Sequence, residues 1–250
     1  MVQGSKRSQV SPFIVMDIMR EANELEAKGK SIIHMEVGQP STSAPRLALR
    51  TAEKVLLQER LGYTEALGDI DLRKKISQFY IARYNLEIDF NRIIVTTGAS
   101  GGLQLAFLSL FDAGDRVALT EPCYPGYRNM LSSMNIEIEK LSIGPEYDFR
   151  LNVEVLEKMS NRIDGLIMSS PGNPTGSMTK AEQLKLIVSW CQENQVKLIS
   201  DEIYHGIEYE EPAITAVSVD SDSIVINSFS KYFSMTGWRL GWMIVPDDLI

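Results

Sequence analysis

Lys231 closes the segment Ser228-Phe229-Ser230-Lys231, which directly follows the apolar run Ile224–Asn227. An amine at the carboxyl end of a buried parallel strand sits where open α/β sheets bind their ligands. Once desolvation or a neighbouring cation lowers its pKa, such an amine can condense with an aldehyde. An isolated lysine in a loop is ordinarily a solvated residue, so the weight here lies in its company. Downstream, Arg239 stands among glycines and tryptophans in Thr236-Gly237-Trp238-Arg239-Leu240-Gly241-Trp242. A buried guanidinium needs an anion, either a carboxylate of the protein or a phosphate that suits its fork. Upstream, Asp201 closes the apolar run of Leu198-Ile199-Ser200-Asp201-Glu202-Ile203-Tyr204. A carboxylate there serves either as a helix N-cap or as a ligand contact. Paired with a cationic heterocycle, it would keep the ring nitrogen protonated and make the ring an electron sink. Tyr204 can place its hydroxyl in the same cleft.

Three further loops follow apolar runs in the same way. Pro171-Gly172-Asn173-Pro174-Thr175-Gly176 has a backbone fixed by its prolines and glycines, with Asn173 as its one long polar side chain; its turn chemistry alone is unspecific. Thr97-Gly98-Ala99-Ser100-Gly101-Gly102 leads into a helix starting near Ser100, whose free N–H groups and dipole favour an anion. That turn matches neither a Gly-Lys-Ser/Thr phosphate loop nor G-x-G-x-x-G. Pro122-Cys123-Tyr124-Pro125-Gly126-Tyr127 offers a flat ring to stack on a planar ligand, or packs as an ordinary surface loop.

The elements that must carry these loops are short apolar runs alternating with amphipathic helices, the pattern of an α/β fold with a mainly parallel central sheet flanked by helices. Strands are predicted at Arg92–Thr97, Arg116–Thr120, Gly165–Ser169, Val196–Ser200, Ile224–Asn227 and Arg239–Val245. Most are continuously apolar, as strands buried on both faces are. Leu103, Ala106, Phe107, Leu110 and Phe111 form one helical stripe, and Leu184, Ile187, Val188 and Cys191 another. Thr179 and Glu182 are spaced as a capping box for the second helix. A further helix starts at Asp69 and buries Leu72, Ile76 and Phe79, and a helical patch spans Pro12–Lys28 before the loop Val37-Gly38-Gln39-Pro40. Residues 1–45 read as an arm and lead-in segment, and residues 46–250 as one ligand-binding domain.

Composition narrows the class. The 250 residues are 44% hydrophobic and 23% charged with a net charge of −8, which describes an ordinary globular chain long enough for a substantial core. The acidic balance disfavours nucleic acid as a partner, although it leaves room for a small anionic ligand in a local pocket. Cys123 and Cys191 form no disulfide framework and no metal-ligand spacing, so a reducing cytoplasmic compartment is expected and no metal site. Ile93–Phe111 lacks charge over nearly the length of a spanning helix, yet its interior Thr96–Gly102 breaker cluster splits it into a strand and a helix. No membrane segment and no signal peptide are expected.

Taken together, the loops resemble the class I/II aminotransferases, the aspartate-aminotransferase-like pyridoxal-phosphate enzymes of fold type I. The resemblance runs from about Val37 to Pro246. It rests on six ordered motifs: Gly62-Tyr63-Thr64 with Gly68, Thr97–Ser100, Pro122–Pro125, Pro171–Gly176, Asp201–Tyr204, and Ser228–Lys231 with Arg239. It implies pyridoxal 5'-phosphate as cofactor, with Lys231 forming the internal aldimine and then shuttling the proton between the substrate Cα and C4′. By the same resemblance Asp201 pairs with the pyridine nitrogen, while Tyr204 and Asn173 hydrogen-bond the ring's 3′ oxygen. Ser228, Arg239 and the N–H groups of Ala99 and Ser100 hold the phosphate, and Tyr124 stacks on the ring. Tyr63 resembles the tyrosine that reaches a neighbour's phosphate across a dimer interface, which implies a homodimer. Gly38 falls in the loop lining the substrate carboxylate, with Asn173 also on the substrate side.

The implied reaction moves an amino group from an L-amino acid to a 2-oxo acid. C–S lyases and cyclopropane-forming synthases share these loops, and a non-catalytic regulatory homologue would keep the fold. Against the last stand the intact Lys231, Asp201, Tyr204 and Arg239. The family continues beyond Val245-Pro246 into a small C-terminal domain that carries the arginine for the substrate α-carboxylate. With Ile250 as the last residue and no arginine after Arg239, the expectation is a truncated form with the small domain absent and substrate binding incomplete.

Overall fold

The computed structural model describes residues 2–58, 61–209 and 211–250. Seven strands form one sheet: β1 (Ile93–Thr96), β2 (Arg116–Glu121), β3 (Glu137–Ser142), β4 (Gly165–Ser169), β5 (Lys197–Asp201), β6 (Ile224–Ser228) and β7 (Gly241–Ile244). Their order is β1-β7-β6-β5-β4-β2-β3. β2 to β6 pair parallel with one another, and β7 alone runs antiparallel to both of its neighbours. The mainly parallel α/β fold read from the sequence is therefore the fold observed.

Side-chain alternation along the strands builds a core on each face. Leu119, Ile167, Ile199, Ile226 and Met243 pack with α4 (Gly98–Leu110) and α5 (Pro125–Ser133). The intervening Ala118, Leu166, Met168 and Leu198 pack on the opposite face with α6 (Val153–Glu157) and α7 (Ala181–Glu193). Beside them Val225, Trp242 and Ile244 meet Ile76 and Tyr80 of α3 (Ile70–Tyr84). Each fully buried Leu, Ile or Phe contributes about 1.5–3 kcal/mol relative to exposure, which is why the central strands tolerate almost no polar residue along their length. α1 (Ile14–Ala27) and α2 (Arg46–Gln58) precede this layered body in the chain. The uncharged stretch Ile93–Phe111 is β1 followed by α4, and no described helix is long and apolar enough to cross a membrane.

The structure departs from the sequence reading at β3, α2, α5 and α6, none of which was predicted, at the start of β7 and at the cap of α7. β3 was not anticipated, because it lies at the sheet edge, where Glu137, Glu139 and Lys140 face solvent and hide the strand pattern; such charges also guard an edge against pairing with another chain. α2 was missed although its apolar residues recur at helical spacing; it buries no residue of its own in this chain. Arg239 does not open β7: it sits in a left-handed turn (φ 53°) after the short helical turn Thr236–Trp238, and the strand begins at Gly241. The Thr179–Glu182 capping box does not form. Lys180 takes the N-cap position without a side-chain bond, and the Thr179 N–H donates instead to Ser170 Oγ at 2.9 Å.

Asp69 does cap α3, accepting from the Leu72 N–H at 2.9 Å, and Asn85 ends that helix in the left-handed conformation. Asp69→Ala is expected to lower stability by about 1 kcal/mol. Urea unfolding checks this as a lower midpoint at unchanged slope.

Candidate active site

Strand direction brings the chemistry to one edge. Parallel β2, β4, β5 and β6 all end there, and so does β1, which runs antiparallel to β7 as β6 does. β7 begins at that edge, so its leading turn delivers Arg239 to the place where other strands deliver their carboxyl ends. Ser169 is in register with Asp201, and Gly241 lies between Thr96 and Ser228. Gly241 is required by close approach: a Cβ there would come within 2.8 Å of the Gly98 carbonyl carbon and of Asn227 O. The missing side chain lets the first turn of α4 settle on β7.

A cavity of about 450 Å³ opens at this edge. Gly38, Ala99, Ser100, Tyr124, Asn173, Asp201, Tyr204, Lys231 and Arg239 all line it. At one end Lys231, Arg239, Ser100 and Ser230 meet the N-terminal turn of α4. The Arg239 guanidinium lies against Gly98, where a Cβ would be 2.4 Å from Nη2, and its Nη1 donates to Thr236 O at 2.8 Å. Arg239 is exposed rather than buried, and no carboxylate among the described residues pairs with it. The internal ion pair left open by the sequence is thus not what the structure holds.

Lys231 Nζ donates to Gly38 O at 2.6 Å. Partial burial, and then the Arg239 charge, push its pKa down and favour the neutral amine. Asp201 lies at the other end, buried, accepting from the Tyr127 hydroxyl at 2.5 Å and from the Ile203 N–H at 3.1 Å. Burial raises the Asp201 pKa against the opposing pull of those two hydrogen bonds, with the Glu202 charge adding to the rise. Tyr204 Oη accepts from Asn173 Nδ2 at 3.0 Å, which joins the loops after β4 and β5. Burial and then the Asp201 charge raise the phenol pKa of both Tyr204 and Tyr124, so these rings are hydrogen-bonding groups rather than phenolates.

Two predicted residues are placed elsewhere. Ser228 is buried in the turn, its hydroxyl donating to Leu240 O and accepting from the Ser230 hydroxyl, and Ser230 rather than Ser228 lines the cavity. Tyr63 is fully exposed and away from the cavity of its own chain. Sequence reasoning did not assign Tyr127, although its spacing of three from Tyr124 on one helix face was available as a signal. Nor did it anticipate Phe13, Val15 and Met16, which line the cavity; Phe13 stands edge-on to Tyr124 with ring centroids 5.8 Å apart. Nothing in the spacing of those residues announces that contact.

The chemistry of this donor set suits a planar heteroaromatic with an anionic tail. Cationic and N–H donors sit at one end, a buried carboxylate without a cationic partner among the described residues at the other, and Tyr124, Tyr204 and Asn173 between them. The Asp201 shift also has a consequence for folding. Because folding raises this pKa, the folded chain holds a proton more tightly than the unfolded one, and ionising Asp201 costs stability as pH rises past the ordinary carboxylate range. Cofactor-free Asp201→Asn is therefore expected to resist urea better than wild type at pH 7. The difference should narrow as pH falls toward 4, as paired denaturation curves would show.

The comparisons agree with this geometry. The family described as Aminotransferase class I and II matches residues 30–250. A valine–pyruvate aminotransferase of Mycobacterium tuberculosis is 41% identical over 245 residues, covering 97% of this chain and 63% of that protein. A (5-formylfuran-3-yl)methyl phosphate transaminase of Methanocaldococcus jannaschii is 39% identical over 243 residues, covering 95% of this chain and 62% of its own length. The crystal structure of an aminotransferase from Mycobacterium tuberculosis superimposes with a TM-score of 0.96 at 41% identity, over 100% of this chain and 65% of that one. Aspartate aminotransferase from Thermus thermophilus with maleate gives 0.94 at 26% identity, over 100% and 66%. The chain thus spans about 63% of the length of the curated relatives it matches. On the sheet, the six loops and this match, the chain belongs to the aminotransferase class I and II family.

Proposed function

We propose that this chain carries the cofactor site of a pyridoxal-phosphate-dependent aminotransferase that moves an amino group from an L-amino acid to a 2-oxo acid through Lys231. The family is generally dependent on that cofactor. The observation that carries the reading to this chain is the single cavity that gathers Lys231, Asp201, Tyr204, Asn173, Tyr124 and Arg239 from separate loops. Bound there, pyridoxal phosphate supplies an aldehyde with which an amine condenses and a ring that draws the electron pair off the substrate Cα.

The protein's own part is division of charge and position. Arg239, Ser230, Ser100 and the free N–H groups of Gly98, Ala99 and Ser100 at the start of α4 hold the phosphate. Ser228 supports Ser230 through the bond between their hydroxyls. Asp201, fixed by Tyr127, accepts the pyridine N–H, and that cation reverses the burial effect that otherwise favours its protonated form. Asn173 and Tyr204 donate to the 3′ oxygen, and Tyr124 covers the ring face. Lys231, held toward the neutral amine by burial and Arg239, is the nucleophile and the base that takes the proton from the substrate Cα at Nζ. The Gly38 carbonyl orients that nitrogen, and the Gly38 loop borders the substrate.

A homodimer in a reducing, cytoplasmic compartment completes the reading. The full exposure of Tyr63 supports the first, and the two free cysteines are consistent with the second. Residues 1–45 act as an arm that closes the cavity, and residues 46–250 as the cofactor-binding domain.

Reconstituting the purified chain with pyridoxal phosphate is expected to give a visible band that borohydride removes, leaving a pyridoxyl adduct on Lys231 in peptide mass maps. Identical spectra for wild type and Lys231→Ala would refute the assignment. Arg239→Ala is expected to weaken cofactor binding about 10–100-fold, the worth of a charge-assisted hydrogen-bond pair. Fluorescence titration with the phosphate form and with pyridoxal reads this, since only the phosphate form should lose affinity.

A further inference from the structure

On the side of the β5 turn facing α3 lies a second buried cluster that the proposed chemistry leaves unused. Asp201 shares the sheet face of Ile199, whereas the next residue, Glu202, turns the other way beneath Tyr80 and Tyr84 of α3. The Glu202 and His205 side chains are each 1% exposed, with His205 Nδ1 3.5 Å from Glu202 Oε2, which has no hydrogen-bond partner among the described residues. The other ring nitrogen, Nε2, lies 2.9 Å from Ser170 O, the carbonyl that opens the Pro171–Gly176 loop. A carbonyl only accepts, so Nε2 carries the proton, and in the neutral ring Nδ1 accepts from the Tyr84 hydroxyl at 2.7 Å.

This bond is the second of two rungs. Among the described residues, the Pro171–Gly176 loop with its leading Ser170 is joined to the turn after β5 by Asn173 Nδ2 to Tyr204 Oη, and by His205 Nε2 to Ser170 O. The loop is internally stiff, with the Gly172 N–H donating to Ser177 O and the Gly176 N–H to Gly172 O, both at 2.8 Å. The loop is therefore one cooperative unit that opens together with its anchor at Ser170, and whatever fixes Ser170 also fixes Asn173. His205 is in turn the chain neighbour of Tyr204, and α3 grips the same turn again where Arg83 pairs with Glu208.

We propose that His205 is a positioning residue. By holding Ser170 to the turn that bears Tyr204, it sets the Asn173–Tyr204 pair at the geometry that meets the cofactor's 3′ oxygen. The effect on the cofactor rests on the function proposed above, and the loop anchor does not. Asn and Gln at position 205 separate the two ring nitrogens: Asn keeps a polar group at the Nδ1 position but stops short of Ser170, while Gln reaches it. Both bury one carboxamide, so their folding burden is matched.

Hydrogen exchange on the cofactor-free chain is expected to show the Gly172 and Gly176 amides exchanging about fivefold faster in His205→Asn, the loss of one modest hydrogen bond, and returning toward wild type in His205→Gln. In protein loaded with pyridoxal phosphate, donors at the 3′ oxygen favour its ionised form. The titration midpoint of the visible band should therefore rise by ~0.5 pH unit in His205→Asn and recover in His205→Gln. Unchanged exchange in the cofactor-free His205→Asn chain would overturn the anchor whatever the cofactor does. Faster exchange with an unmoved midpoint would overturn the positioning role. A wild-type chain that forms no visible band would overturn the cofactor reading, and the exchange experiment would still decide the anchor.

Discussion

The antiparallel pairing of β7 with both β1 and β6 turns the head of one strand toward the tails of the others. Everything at the cavity follows from that reversal. A parallel β7 would carry Arg239 to the far edge of the sheet, away from Lys231 and the start of α4. In the observed direction the guanidinium, the lysine and the helix N-terminus converge. Gly241 makes the convergence tight enough to matter, because any side chain there would press on the backbone of Gly98 and Asn227.

Opposed to this cationic end is a carboxylate that the fold buries at some cost. Asp201 is raised by burial and Lys231 lowered by it, so each is held toward its neutral form by the same physical cause acting on opposite charges. Tyr127 and the Ile203 N–H limit the cost at Asp201 and fix its oxygens in place. Glu202 repeats the arrangement on the other face, where Ser200 and the Ala216 N–H serve one oxygen and His205 approaches the second. Adjacent buried carboxylates on opposite faces of one strand end tie the α5 side of the sheet to the α3 side through a single turn.

Much of this was legible in the sequence because it depends on strand ends. Asp201, Lys231 and the Pro171–Gly176 loop each follow a continuous apolar run, and such a run identifies both a central strand and the position just past it. What escaped were contacts made at a distance in the chain. Tyr127 reaches Asp201 only because α5 packs over β5, and His205 reaches Ser170 only because two strands lie side by side. Ser228 and Ser230 are equivalent in composition, and only the turn's geometry decides which hydroxyl faces the cavity. β3 was invisible for the opposite reason: it is a charged edge and shows little of the apolar period that reveals a strand.

Phe13, Val15 and Met16 form part of the cavity wall, yet they precede residue 30, where the shared family pattern begins. The floor of the pocket thus lies within the family pattern, while one side of it is built by a segment outside that pattern. Two relatives could keep identical machinery at Lys231 and Asp201 and still admit differently shaped guests by exchanging a few residues of the opening segment. A trimmed version starting at the family boundary would keep the reactive groups but lose the lining against which Tyr124 rests.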